Sequence, residues 1–346
     1  VRIAIDVMGS DQGPRSIIHG AAKAALHHDH LELLLFGPSR QIVAELSRLP
    51  QPLAAAASRL VVCNSHDRVS QEATAAWAIR HGQQTSMAQM LRCVAGNGLH
   101  GSADAGVSAG NTAALVALSR RELGILPGIS RPAISTAIPT RNGRCCYLLD
   151  LGANVDSPAC RLVDFAVMGA AMAQSVDAIE RPRVALLNVG AEATKGSRSV
   201  REANAILCHA SAHSLFDYQG YAEGGDLFRG NLDVVVCDGF VGNAVLKSSE
   251  GLASMLIERV QAVFESRLSG RLASLLARPA LKRLKKELDP VRYNGASLLG
   301  LSRIVVKSHG GAHAEGFYYA IVRAMQEVEH DLPQQLMQRW QSLPHR

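Results

Sequence analysis

Five consecutive small residues, Ser108-Ala109-Gly110-Asn111-Thr112, stand directly before a helix-like stretch at 113–123. Small side chains let backbone amides approach an anion, and the start of the following helix attracts negative charge, so the segment suits phosphate. It equally suits a tight turn with Asn111 or Thr112 as the helix cap, and the segment alone does not separate the two. A second loop, Gly190-Ala191-Glu192-Ala193-Thr194-Lys195-Gly196, has the composition of a P-loop but the reverse order of Lys and Gly, which excludes that nucleotide motif. Lys195 is then either a counter-charge for an anion or a solvated surface lysine, the usual fate of lysines.

A different chemistry is written over the same residues. Gly106-Val107-Ser108-Ala109-Gly110 fits the Gly-x-Ser-x-Gly nucleophile elbow, and Asp238 and His309 follow in the order Ser, Asp, His. The elbow requires a firm strand before its serine, and Leu99-His100-Gly101-Ser102-Ala103-Asp104-Ala105 is a poor one. A serine hydrolase is therefore carried as the alternative. Asp6, Asp156 and Asp238 either orient donors, act as bases or cap helices. His309 has the ordinary pKa, near ~6.5, that suits proton transfer at neutral pH.

The elements that must position these groups alternate along the chain. Runs at 1–7, 31–36, 59–63, 145–149, 184–188, 233–237 and 304–307 are β-rich, end in polar or glycine-rich loops and are followed by helix-like stretches. Such alternation predicts parallel βαβ units, and runs apolar throughout predict strands covered by helices on both faces. The expected architecture is a Rossmann-like, mostly parallel central sheet in a single catalytic α/β domain over 1–346, with a helical, basic amphipathic excursion at 250–290. In open parallel sheets ligands bind beyond the carboxyl ends of the strands, which is where the loops named above fall. The alanine-rich piece at 51–58 reads as a surface connection.

Seven scattered cysteines without a CxxC pair, and thirteen histidines without HExxH, give no reason to expect a metal, and no cofactor motif is present. The chain opens on a strand-like run with no basic-then-apolar leader, and its longest apolar stretches, such as 165–172, fall short of the ~18–20 residues of a membrane span. A cytoplasmic location without a spanning helix is expected. The net charge of +6 is concentrated at 267–288, and aromatic residues are 4% of the chain, so a general nucleic-acid footprint is excluded. Within that segment Leu272, Leu275 and Leu276 recur at helical spacing, while Arg271, Lys282, Arg283, Lys285 and Lys286 occupy other positions. The pattern resembles an interfacial amphipathic hairpin able to visit an anionic membrane surface; a dimer interface or a dock for an acidic carrier protein predicts the same leucine spacing.

Six motifs in order, IAIDVMGSDQGP, SAGNT, DLGANVD, NVGAEATKG, LDVVVCDGFVGNAVLK and VVKSHGGA, resemble the phosphate acyltransferase family of bacterial phospholipid synthesis over nearly the whole chain. Departures fall at Ser10, at Ala113 or Ala114, across 294–300 and at Arg303. The resemblance implies transfer of a long-chain acyl group from acyl carrier protein to inorganic phosphate, and a short-chain phosphotransacylase using coenzyme A is the rival within the class. It further implies a fold like isocitrate and isopropylmalate dehydrogenases and phosphotransacetylase, and a homodimer; an acyl phosphate destined for a downstream membrane acyltransferase, a possible partner, makes the peripheral membrane association expected of the basic segment useful. Attack of phosphate on a thioester needs no covalent enzyme nucleophile, because the thiolate leaves readily; positioning and oxyanion stabilisation suffice. On that chemistry Ser108, Gly110, Asn111 and Thr112 hold phosphate with Lys195 as counter-charge, and Asn154 or Asn188 donates to the carbonyl oxygen. His309 protonates the thiol, Asp238 orients or accepts, and Asp6, Asp156, Glu192, Asn243 and Lys247 contact substrate.

Overall fold

The computed structural model describes residues 1–210, 216–265 and 290–341. The first βα units are β1 (Arg2–Asp6), α1 (Pro14–His27), β2 (Glu32–Gly37), α2 (Ser39–Leu46) and β3 (Leu60–Asn64). After α3 (Ala75–His81) and α4 (Ser86–Val94) come β4 (Ala105–Ser108) and α5 (Thr112–Glu122). The middle of the chain supplies β5 (Ala133–Pro139), β6 (Cys145–Leu149), α6 (Ala159–Val176), β7 (Arg183–Leu187), α7 (Arg198–Ala210) and β8 (Asp217–Ala222). It closes with β9 (Val234–Val236), α8 (Gly239–Glu265), β10 (Ala296–Leu299), β11 (Ile304–Lys307), α9 (Ala314–Glu329) and α10 (Leu332–Gln341).

Eleven strands make one sheet in the order β3-β2-β1-β4-β11-β10-β5-β6-β9-β7-β8. Pairing is parallel from β3 to β11 and again from β6 to β8, while β10 is antiparallel to both β11 and β5, and β5 to β6. The two parallel runs therefore point in opposite senses, and the strand-end loops fall into two sets. Apolar runs become strands buried on both faces: Ile3, Ala4 and Ile5 of β1 and Val234, Val235 and Val236 of β9 are all shut away from solvent.

The piece at 51–58 forms much of a 3-10 turn, Leu53–Arg59, with Ala56 buried. The expectation that no apolar stretch reaches spanning length needs correction: α6 is 18 residues long and apolar enough to cross a membrane by length and composition. Packing explains it, because 72% of that helix is buried inside the fold, with Phe165, Met168 and Met172 in the core beside β6 and β9. On α9, Arg323 and Glu327 form an ion pair at 2.8 Å that also engages Ser297 of β10 and the Tyr147 hydroxyl of β6, tying helix to sheet. Beyond position 250, α8 continues to Glu265; Arg271, Leu272, Leu275, Leu276, Lys282, Arg283, Lys285 and Lys286 lie outside the described residues.

Candidate active site

Three neighbouring strand ends build the first set of loops. Register places Asp6 of β1 opposite Ser108 of β4, and Ser108 opposite Lys307 of β11. Asp6 is 2% exposed and accepts from Ser108 Oγ at 2.7 Å, Ser86 Oγ at 2.6 Å and Met8 N at 3.2 Å. Burial pushes its carboxyl above the usual range, while Ser86, Ser108, Met8 and Lys307 favour the ionised form. Ser108 Oγ in turn accepts from Gly110 N at 3.0 Å, so a buried carboxylate sets the path of the loop. Gly9 packs backbone to backbone on this loop: a Cβ there would collide with Gly110 N and stand 2.9 Å from Gly110 Cα. Asn111 caps α5 by accepting from Ala114 N at 2.9 Å, and its amide donates to Gln71 O at 2.7 Å and Ala73 O at 2.9 Å. The capping reading of Asn111 is therefore realised, and it leaves the Thr112 and Ala113 N–H groups at the helix start, ahead of the first intrahelical bond at Leu115.

Lys307 was not singled out by sequence reasoning, although it ends the apolar run 304–307 and opens a glycine-rich loop. Its Nζ donates to Ala109 O at 3.3 Å and to Ser308 O. Burial pushes its ammonium down to about 8, Lys247 adds to the depression, and Asp11 and Asp6 oppose it. His309 follows, its N–H bonded to Asn294 Oδ1 at 2.9 Å; Gly311 N donates to Nδ1 at 3.0 Å, which leaves the proton of a neutral ring on Nε2. The residue is open to solvent, yet packing around the ring, with Lys247 and Lys307 nearby, lowers its pKa.

The second set of loops is organised by Asp150, which sequence reasoning also passed over. It is fully buried and accepts from the backbone of Ile134, Leu151, Ala153 and Asn154 at 2.7–3.3 Å. Both amide hydrogens of Asn154 are engaged, by Pro132 O at 2.9 Å and Asp150 at 3.0 Å. Asp238 opens α8, accepting from Ser157 N and Phe240 N, each at 2.9 Å. Gly239 and Gly242 lie so close to Asn154 O and Asp150 O that a Cβ at either would clash with backbone. Asp156, exposed at φ 57°, and Asn243 flank this region. Lys247 pairs with Glu250 at 2.8 Å and acts electrostatically on Lys307 and His309, so α8 links the two sets within about 12 Å of helix rise from Gly239.

Lys195 stands apart from these contacts. Its ammonium pairs with Glu192 of its own loop at 2.7 Å, with 50% and 61% of the two side chains exposed. That bond holds the Glu192 carboxyl below its usual range. Asn188 uses its amide to fold the same loop, donating to Gly190 O at 3.1 Å and Lys195 O at 3.2 Å. The structure thus brings Asp6, Ser108, His309 and Lys247 near Lys307, which touches Ala109 O of the loop that holds Gly110, Asn111 and Thr112; it gathers Asn154, Asp238 and Asn243 around Asp150 and leaves Asn188, Glu192 and Lys195 as a local unit.

The hydrolase constellation does not form. Ser108 Oγ is 0% exposed and bonded to Asp6, Asp238 is committed to two backbone donors, and His309 Nδ1 accepts from Gly311, whereas an elbow presents its serine at the open tip of a turn. Among the described residues no three His, Cys, Asp or Glu side chains are grouped to hold a metal ion. What the arrangement offers is backbone N–H groups at a helix start with a lysine ammonium bonded to the same loop, a chemistry suited to holding phosphate.

Residues 1–335 match the family model described as Fatty acid synthesis protein. The phosphate acyltransferase of Stutzerimonas stutzeri (strain A1501) is 49% identical over 97% of this chain and 91% of its own length. That of Pseudomonas savastanoi pv. phaseolicola (strain 1448A / Race 6) is 48% identical over 99% of this chain and 97% of its own. Among solved structures, a phosphotransacetylase from Streptococcus pyogenes has a TM-score of 0.62 at 18% identity, with 95% of this chain and 94% of that chain covered. A branched-chain phosphotransacylase from Enterococcus faecalis V583 has a TM-score of 0.55 at 15% identity, with 94% and 99% covered. These likenesses speak for the fold alone, and they correct the expected one: this is an α/β fold related to the phosphotransacetylases, not specifically one like isocitrate or isopropylmalate dehydrogenase. Alternating strands and helices are common to both groups, so alternation read from sequence does not choose between them. With the match running almost end to end, the chain belongs to the phosphate acyltransferases and transfers an acyl group to phosphate, forming an acyl phosphate.

Proposed function

We propose that the acyl donor is a long-chain fatty acyl thioester of acyl carrier protein, and that the acyl phosphate serves phospholipid synthesis. The observation that supports the site assignment is the tip of β4, where Gly9 packs on Gly110 and the Thr112 and Ala113 N–H groups stand at the start of α5 ahead of its first intrahelical bond. Phosphate seated against Thr112 and Ala113 attacks the thioester carbon; the C–O bond forms, the C–S bond breaks, and the proton of hydrogen phosphate ends on the departing sulfur. His309, neutral with its proton on Nε2, hydrogen-bonds the departing sulfur through that N–H and steadies its charge as the proton of hydrogen phosphate arrives. Asn154 and Asn188 have their amides engaged within their loops, so they act by positioning. The carbonyl oxygen falls to Asn243 on the first turns of α8, near Lys247. Asp156, Glu192 and Lys195 line the donor side, and Asp6 and Asp238 hold the two loop sets.

The fatty-acyl donor is supported by the matched family description and by the six sequence motifs. Residues 267–288 carry the excess positive charge, and we assign them to reversible contact with an anionic membrane surface by a cytoplasmic homodimer. Carrier-protein docking and dimerisation are the competing uses of that segment. Incubation with long-chain acyl carrier protein, with and without phosphate, and trapping of product as a hydroxamate tests the donor assignment. Phosphate-dependent hydroxamate supports it; phosphate-independent release of free fatty acid points to the hydrolase, and turnover confined to acetyl coenzyme A points to the short-chain reaction.

A further inference from the structure

We infer that Lys307, rather than Lys195, is the cation that holds phosphate for the attack, an assignment that rests on the placement of phosphate at the β4 tip. Lys307 stands in register with Ser108, and its Nζ touches Ala109 O in the middle of the phosphate loop. Its hydrogen bonds run to carbonyl oxygens, and among the described residues no carboxylate makes an ion pair with it. Asp6, the carboxylate at the end of β1 on the far side of β4, is already taken by three donors. A partly buried ammonium held only by carbonyl oxygens, with Asp11 and Asp6 acting on it from beyond ion-pair distance, is costly, and a phosphate dianion at the start of α5 supplies a direct counter-charge. Lys195 has the opposite circumstances, being solvent-exposed and matched with Glu192.

The surroundings decide what else acts on Lys307. Asp6 from β1 and Asp11 from the loop after it favour the ammonium form, whereas Lys247 from α8 disfavours it. His309, with Glu250 of α8 acting on it, completes the titratable groups at this tip. Because Lys307 loses its proton at about 8, the phosphate site weakens as pH rises through that value. Arginine at 307 keeps its charge throughout and removes that weakening.

The test uses the full chain with inorganic phosphate as the probe. Lys307→Met is expected to raise the phosphate KM by about tenfold to a hundredfold, as for loss of a charge-assisted hydrogen bond, with little change in the KM of the acyl donor. In wild type kcat/KM for phosphate falls above pH about 8; Lys307→Arg retains phosphate use and loses that alkaline fall. Inorganic phosphate raises the melting temperature of wild type and Lys307→Arg but not of Lys307→Met. An unchanged phosphate KM in Lys307→Met, an unchanged alkaline limb in Lys307→Arg, or a KM effect found at Lys195→Met instead overturns the inference while leaving acyl phosphate formation intact. If wild type itself forms no acyl phosphate from long-chain acyl carrier protein, it is the donor assignment that falls, and the phosphate-induced melting shift still decides the role of Lys307.

Discussion

Replacing Gly9 by alanine probes how the loop proposed to seat phosphate is held. The added Cβ would meet Gly110 N, Gly110 Cα at 2.9 Å and Asp6 Oδ2 at 3.0 Å. Carbon atoms rest at about 3.5–4.0 Å, so the loop must retreat by roughly 0.5–1 Å. Neither neighbour yields readily: one is backbone, and the other is a carboxylate fixed by Ser86 and Ser108. Overpacking of this kind costs about 1–3 kcal/mol of stability. A displacement of ~1 Å at a reacting group costs about 10²-fold in rate, so kcat/KM for phosphate should fall by roughly that factor. The assay is steady-state hydroxamate formation at varied phosphate, with urea unfolding in parallel. Gly251→Ala is the reference, since nothing lies within 4 Å of that site on α8 and a helix interior gains up to about 1 kcal/mol from the change. Wild-type phosphate kinetics and stability in Gly9→Ala would refute the reasoning.

Arg323→Met strands the buried Glu327 carboxylate and is expected to cost about 3–5 kcal/mol in urea unfolding, much of it recovered by adding Glu327→Leu; a loss under about 1 kcal/mol would show that the pair is not isolated from water. Ser108→Ala removes one donor from Asp6 and the acceptor of Gly110 N, which predicts a loss of about 1–3 kcal/mol and weaker phosphate use, with turnover retained; complete loss of turnover with an unchanged melting curve would favour a serine nucleophile. His309→Gln should lower kcat by about 10²-fold. The acid limb of wild-type kcat should lie below the ordinary histidine value, because the depressed pKa keeps the ring neutral until pH falls further; a limb above ~6.5 would contradict this.

Where a strand is apolar and free of glycine, its sequence read plainly: the runs 145–149 and 304–307 are β6 and β11 residue for residue. The strand that leads into the Ser108–Thr112 loop did not. Gly106 interrupts β4 on any propensity scale, yet a Cβ there would lie 2.5 Å from Met90 Sδ, so α4 packs where the side chain would be. β5, β8 and β10 were also passed over, their Ser, Thr, Pro and Gly residues masking strands whose pairing is supplied by neighbours far along the chain. The placement of Ser108 to Thr112 and of His309 at strand ends was legible, because small residues and a histidine follow the apolar runs. The local ion pair of Lys195 with Glu192 and the register that sets Lys307 opposite Ser108 were not legible, since neither is revealed by spacing.

A crystal structure with phosphate bound examines the central claim most directly. The account predicts the anion within hydrogen-bond distance of the Thr112 and Ala113 amides and of Lys307 Nζ. Phosphate seated instead beside Lys195, with the start of α5 occupied only by water, would contradict it.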